Sequence, residues 1–218
     1  MRKLVLGLIA SMGMASAANA ATIINGSFES GDANPAGGFT TVNGGPSTTA
    51  IAGWRVGGSS VDYIGGYWAA QEGSRSVDLA GNGIGSIEQD IATIAGQAYE
   101  VTFWVARNPD GGVNPRTGFV DVGGSQTQIS FADGTTTGSN MGWEQHSYSF
   151  LANSAMTTLR FSADPATSAQ FFGLALDNVS IAAVSAVPEP TTWGMLILGF
   201  GAIGGTMRRK KKIAAATV

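Results

Sequence analysis

The chain has no cysteine among its 218 residues. In an oxidising compartment that excludes disulfide stapling, so the core or a bound ion must supply stability. Histidine is almost as scarce. His146 stands alone, so neither a zinc centre nor a Ser-His-Asp centre finds support, and this residue reads as a hydrogen-bonded structural one. Lysine is missing from residues 22–187, where five arginines face fourteen acids for a net charge of −9. Phosphate binding wants cations, so this balance argues against nucleic acid or an anionic membrane face as partner. It suits an extracellular protein and leaves room for a divalent metal. Between the two ends no sustained helical period and no internal repeat occurs.

The two ends are of a different kind. Arg2 and Lys3 precede an apolar stretch from Leu4 to Ala10, and Ala18-Asn19-Ala20 is a small-residue cleavage site. The expectation is a signal peptide over 1–20, with the mature chain starting at Ala21. At the other end a linker over 185–192 contains Pro188-Glu189-Pro190. An uncharged run from Trp193 to Met207 follows, then five consecutive cations from Arg208 to Lys212. As a helix that run spans about 22 Å, against about 30 Å of hydrocarbon. It is short, but flanking threonines and the snorkelling of Arg208 lengthen its reach. A transmembrane helix over 193–207 with a basic cytoplasmic tail over 208–218 is expected, the cations staying inside. The ordered set Pro188, Glu189, Pro190, Trp193, apolar run and basic block resembles the PEP-CTERM sorting signal. That resemblance implies export across the inner membrane of a Gram-negative bacterium, a membrane-anchored precursor, and an exosortase-type membrane protease as partner, with the cell surface or extracellular matrix as destination.

Residues 21–184 read as one all-β domain. Strand-like runs recur near 51–56, 60–64, 75–79, 85–91, 97–107, 116–122, 126–131, 143–151, 156–162 and 172–182, separated by Gly, Asn, Ser and Pro. In the strongest, Tyr99, Val101, Phe103 and Val105 share one face, while Glu100, Thr102, Trp104 and Ala106 share the other, as in a central strand of a sandwich. Many short strands with Gly-rich turns predict a β-sandwich of the jelly-roll kind.

The opening Asn25-Gly26-Ser27-Phe28-Glu29 is similar to the start of galactose-binding-like jelly rolls, including the DUF642 type and several carbohydrate-binding-module families. It is followed in order by Ile51 to Trp54, Val61 to Ile64, Gly73 to Leu79, Gly85 to Gln89 and Ala175 to Ile181. In that order the segments resemble the family called choice-of-anchor C. The resemblance implies a binding domain joined to interchangeable surface anchors. It also implies a structural Ca²⁺ held by Glu29 after the first strand and Asp177 in the last, hard oxygen ligands of the type this ion takes. The alternative for both acids is ordinary acceptance of turn hydrogen bonds.

Tyr67 and Trp68 follow Gly65-Gly66 and are candidates for a sugar-stacking platform, with Glu72 and Arg75 as hydrogen-bonding groups at its edge. Core packing is the competing reading, and it is the favoured one for Trp54 and Tyr63. The acid pairs Glu88/Asp90 and Asp62/Asp78 carry no sign of the two-carboxylate arrangement that glycoside hydrolysis needs. Alternation puts such residues on the wet face of a strand. Gly81 to Gly85 resembles a phosphate loop only in its glycines, since a strand and not a helix follows. The expectation is an exported, surface-associated, non-enzymatic protein that binds or organises extracellular polysaccharide. A structural matrix protein without a ligand site and a polysaccharide-acting enzyme are the alternatives.

Overall fold

A computed structural model describes residues 21–132, 134–184, 194–201 and 203–204. The expected signal peptide, the motif residues Pro188, Glu189, Pro190 and Trp193, and the basic tail lie outside those residues. The chain forms two units, 1–184 and 185–218. In the second, the described residues from Gly194 to Gly204 are helical. Among the described residues no helix is long and apolar enough to cross a membrane.

The described residues of the first unit contain eleven strands: β1 (Phe39–Asn43), β2 (Arg55–Gly58), β3 (Ser60–Ile64), β4 (Ser76–Asp78), β5 (Gly85–Ala92), β6 (Ala98–Arg107), β7 (Arg116–Val122), β8 (Ser125–Phe131), β9 (Glu144–Leu151), β10 (Met156–Ala163) and β11 (Leu174–Ala183). They pair antiparallel in two sheets, one in the order β1-β3-β4-β11-β6-β9 and the other β2-β5-β10-β7-β8. This is the expected β-sandwich. The predicted runs fall on β2 to β11. β1 is absent from the expectation because Phe39-Thr40-Thr41-Val42-Asn43 carries little apolar alternation; pairing with β3 makes it a strand.

The core lies between the sheets. Tyr99, Val101, Phe103 and Val105 of β6 are all buried on its inner face. Trp54 touches Phe28 at 5.5 Å and Phe161 at 6.4 Å between ring centroids, and Phe161 meets Phe103 edge-on at 4.9 Å. Each such ring contributes about 1.5–3 kcal/mol on full burial, which is what a disulfide-free fold relies on. Trp54 and Tyr63 are core residues, as favoured.

The outer face of the six-stranded sheet departs from simple alternation. Ser60, Asp62 and Ile64 on β3, Ser76 and Asp78 on β4, and Ala175 and Asp177 on β11 point away from the core, yet all are buried. Loops roof them over. The 65–72 loop lays Trp68 on the sheet, its indole N–H donating to Ser76 Oγ at 2.8 Å. The 134–143 loop is tied to that loop by the Ala69 N–H on the Gly138 carbonyl and the Trp143 indole N–H on the Ala69 carbonyl.

Candidate functional site

One part of the roofed face stays open. A cavity of about 250 Å³ is lined by Phe39, Asp62, Ile64, Tyr67, Trp68, Asp78, Asn108, Asp110 and Phe171. Its rim is aromatic. Phe39, Tyr67 and Phe171 are 41%, 46% and 44% exposed, and they are the exposed aromatic side chains among the described residues of the β unit. Tyr67 meets Phe39 edge-on at 5.4 Å and Trp68 at 6.0 Å. The turn that projects Tyr67 needs Gly66 at φ 104°, a region side-chain-bearing residues avoid.

The rim is held from several directions. The Tyr67 hydroxyl donates to Asp110 Oδ2 at 2.6 Å, which pushes the phenol's pKa up. Asn108 donates through Nδ2 to both Asp78 Oδ2 and the Phe171 carbonyl, at 2.8 and 2.7 Å, and accepts the Asp110 N–H on Oδ1. Phe171 itself sits at φ 65°, its N–H on the Gly81 carbonyl at 2.7 Å. A bulky side chain in that region costs of order 1–3 kcal/mol, and such strain collects at functional sites. The fully buried Arg116 donates to the carbonyls of Thr167, Phe172 and Gly111, clamping the 108–113 and 166–173 loops.

The floor is acidic. Asp62 and Asp78 are direct partners across β3 and β4. Asp62 is 5% exposed and accepts from Thr41 Oγ1 at 2.6 Å on Oδ1; burial pushes its pKa up. Asp78 is fully buried, and desolvation raises its pKa to about 7 despite donation from Asn108 and the Ala80 N–H. The floor is close-fitted: a Cβ on Gly173 would come within 1.9 Å of Asp78 Oδ1.

The expected site residues divide into two places. Tyr67 and Trp68 line the cavity, but Trp68 is only 3% exposed. This corrects the expectation of an exposed two-ring platform: Trp68 forms the wall, and Phe39 and Phe171 share the rim with Tyr67. Glu72 and Arg75 do not line the cavity. Arg75 lies over the Tyr63 ring and donates to its hydroxyl at 2.7 Å. Glu72 is exposed, its backbone N–H on Asp177 Oδ2. Both belong to the 71–75 loop, which Glu29 and Asp177 hold. Glu29 accepts the N–H groups of Ser74 and Arg75 and the Ser74 hydroxyl. These bonds outweigh its desolvation and leave its pKa lowered. Asp177 accepts from the N–H groups of Gln71, Glu72 and Asn178, while burial lifts it to about 7.

As arranged, these two carboxylates fit Ca²⁺ poorly. Every oxygen of the pair meets N–H or O–H donors, which a cation would have to displace. No cluster of three or more His, Cys, Asp or Glu that could hold a metal occurs among the described residues.

Phe39, Asp62, Asp78, Asn108, Asp110 and Phe171 were not singled out as binding residues. Asp62 and Asp78 follow the alternation of a wet strand face, and nothing local announces the roof above them. The adjacent rings Phe171 and Phe172, at the edge of the run expected near 172–182, were the available signal; the strand starts only at Leu174 and leaves both in the loop. His146 stacks on Phe103 at 5.9 Å, away from the cavity. Glu88 and Asp90 pair with Arg55, each at 3.1 Å.

Several known proteins are similar to this chain. Halomucin from Haloquadratum walsbyi is 36% identical over 178 residues, which is 79% of this chain but 2% of halomucin; the chain thus spans a small fraction of that relative. Among solved structures, a family 35 carbohydrate binding module from Clostridium thermocellum aligns with 65% of this chain and 97% of its own at 17% identity and a TM-score of 0.45. TmCBM61 in complex with β-1,4-galactotriose aligns with 60% and 88%, at 17% identity and a TM-score of 0.43. Residues 186–212 match the PEP-CTERM protein-sorting motif. Residues 21–182 match the family described as protein of unknown function, DUF642, and the chain belongs to that family.

Proposed function

We propose that the protein is an exported, surface-associated, non-enzymatic carbohydrate-binding protein whose site is the cavity on the outer face of the six-stranded sheet. One observation carries this reading: the three exposed aromatic rings of the described β unit, scattered in sequence, all line one cavity. Scattered exposed apolar residues need no explanation, but converging ones do. Flat rings fit the apolar face of a pyranose, and the carboxylates beneath accept hydrogen bonds from its hydroxyls. The volume suits a sugar unit better than a drug-sized ligand, whose sites start near about 300 Å³. The placement of the acids supports binding without catalysis. Asp62 and Asp78 stand side by side on one floor, whereas hydrolysis places its two carboxylates on either side of the scissile bond.

The sorting motif supports export through the inner membrane, a membrane-held precursor and processing by an exosortase-type protease in a Gram-negative bacterium. Extracellular polysaccharide is then the ligand within reach. Each stacked ring contributes on the order of 1 kcal/mol, so single-site binding is weak and retention comes from many copies on one surface. A glycan array including the organism's own polysaccharide, run beside a reducing-sugar release assay, tests the reading. Binding without release is expected. Release of sugar would make the protein an enzyme, and silence in both assays would make it a structural matrix component.

A further inference from the structure

The chemistry of the cavity selects among sugars. We propose that it takes a sugar unit bearing a free, protonated amine, that is, an amino sugar in preference to its neutral or N-acetylated counterpart. The inference rests on the carbohydrate reading above and narrows it.

The lining contains three carboxylates, Asp62, Asp78 and Asp110, and no lysine, arginine or histidine. Asp62 is the telling residue. It is more than nine-tenths buried and lines the cavity, yet Thr41, on Oδ1, is its one hydrogen-bond donor among the described residues. Oδ2 is left to the cavity. That oxygen is not sealed off among the buried unpartnered atoms but opens on the cavity, so a ligand that closes the cavity removes its water and must supply a donor in its place. A neutral sugar hydroxyl meets part of that need. An ammonium meets more, since it brings both donors and opposite charge.

The surroundings favour a cation as well. Asp78, only partly ionised at neutral pH, stands directly across the strand pair, and Asp110 is a third carboxylate at the rim. The nearby cation, Arg116, adds positive field at Asp78, but it does not line the cavity and three of its N–H bonds go to loop carbonyls. The walls are aromatic on several sides, through Phe39, Tyr67, Trp68 and Phe171. Ring faces attract cations, and carboxylates below with rings around form a cage for a positively charged group. The same rings provide the stacking that a bare cation would not use.

The test uses the purified full chain and three probes at fixed ionic strength: a glucosamine oligosaccharide, the matching N-acetylglucosamine oligosaccharide, and choline. Calorimetry or fluorescence gives each Kd. The amine form should bind about tenfold or more tighter than the N-acetyl form, the size of a charge-assisted hydrogen bond. Of the two oligosaccharides, its affinity alone should fall with added salt. Asp62→Asn should bring the ratio of the two near one. Asp110→Asn, at an exposed rim position, should lower the ratio and serves if Asp62→Asn fails to fold. Equal binding of the two oligosaccharides, or tighter binding of the N-acetyl form, overturns the inference and leaves the carbohydrate reading intact. Choline binding as tightly as the amino sugar overturns the sugar part of the cage. Failure of every saccharide on the array and here removes both readings.

Discussion

Phe171 offers a perturbation in which stability and binding part company. Its backbone is held at φ 65° and its ring is 44% exposed at the cavity rim. Replacing it by alanine removes the ring and keeps the strained backbone. About half of a full Phe burial is lost, roughly 1 kcal/mol, with no compensation. Replacing it by glycine removes the same ring but relieves the left-handed strain, worth about 1 kcal/mol. Phe171→Gly should therefore unfold close to wild type, while Phe171→Ala should melt lower by about 2–4 °C, the shift expected per kcal/mol in a unit of this size. Both should lose affinity for polysaccharide to the same degree, because neither carries the ring. Thermal melts by circular dichroism and retardation in polysaccharide-containing native gels measure the two effects. If glycine destabilises as much as alanine, the backbone strain is not there to be relieved. If both variants bind like wild type, the ring is no part of the site.

Acidification from pH 8 to pH 5 should raise the melting temperature. Asp78 and Asp177 have folded pKa values raised to about 7, so the folded state binds protons that the unfolded state releases in this range. Their contribution falls as pH rises through that window, by about 2–4 kcal/mol each. Below the unfolded carboxylate range the trend reverses, as Glu29, Asp90 and Asp164, all held low, become protonated; a monotonic rise of stability from pH 5 to pH 8 would contradict this assignment. Because N–H and O–H donors meet the oxygens of Glu29 and Asp177, excess EDTA should leave the melting temperature within about a degree of that in millimolar calcium. A gap of several degrees would restore calcium to this pair by linkage. Removal of 187–218 should turn a membrane-held precursor into a freely released protein, and neutralising Arg208 to Lys212 should weaken retention. Recovery of the truncated chain in the membrane fraction would contradict the sorting assignment.

The sandwich was legible because its core strands alternate plainly. β6, with Tyr99, Val101, Phe103 and Val105 on one face, could be read without coordinates. β1 could not, since Thr40 and Thr41 have no face to declare and pairing alone makes them a strand. The site was half legible. Tyr67 followed a turn that only glycine accommodates, and it lies where that turn predicts. Trp68, its neighbour, is instead laid on the sheet, its indole N–H on Ser76 Oγ, and so forms the wall and not the rim. Asp62 and Asp78 were visible as a pair but were assigned to water, since the roof over them needs the intervening 65–72 loop to fold back on the sheet and meet loops far away in sequence, at 108–113 and 166–173. Glu72 and Arg75 were close to Tyr67 along the chain, but Glu29 and Asp177 draw their loop elsewhere.

The central claim is that Phe39, Tyr67 and Phe171 form one sugar-binding rim. The direct measurement is the affinity of the triple variant Phe39→Ala, Tyr67→Ala, Phe171→Gly for the organism's own extracellular polysaccharide, read in native gels beside its melting curve. Loss of retardation with a cooperative melt within a few degrees of wild type is the predicted result. Unchanged retardation by the folded variant would contradict the claim and move binding off this cavity.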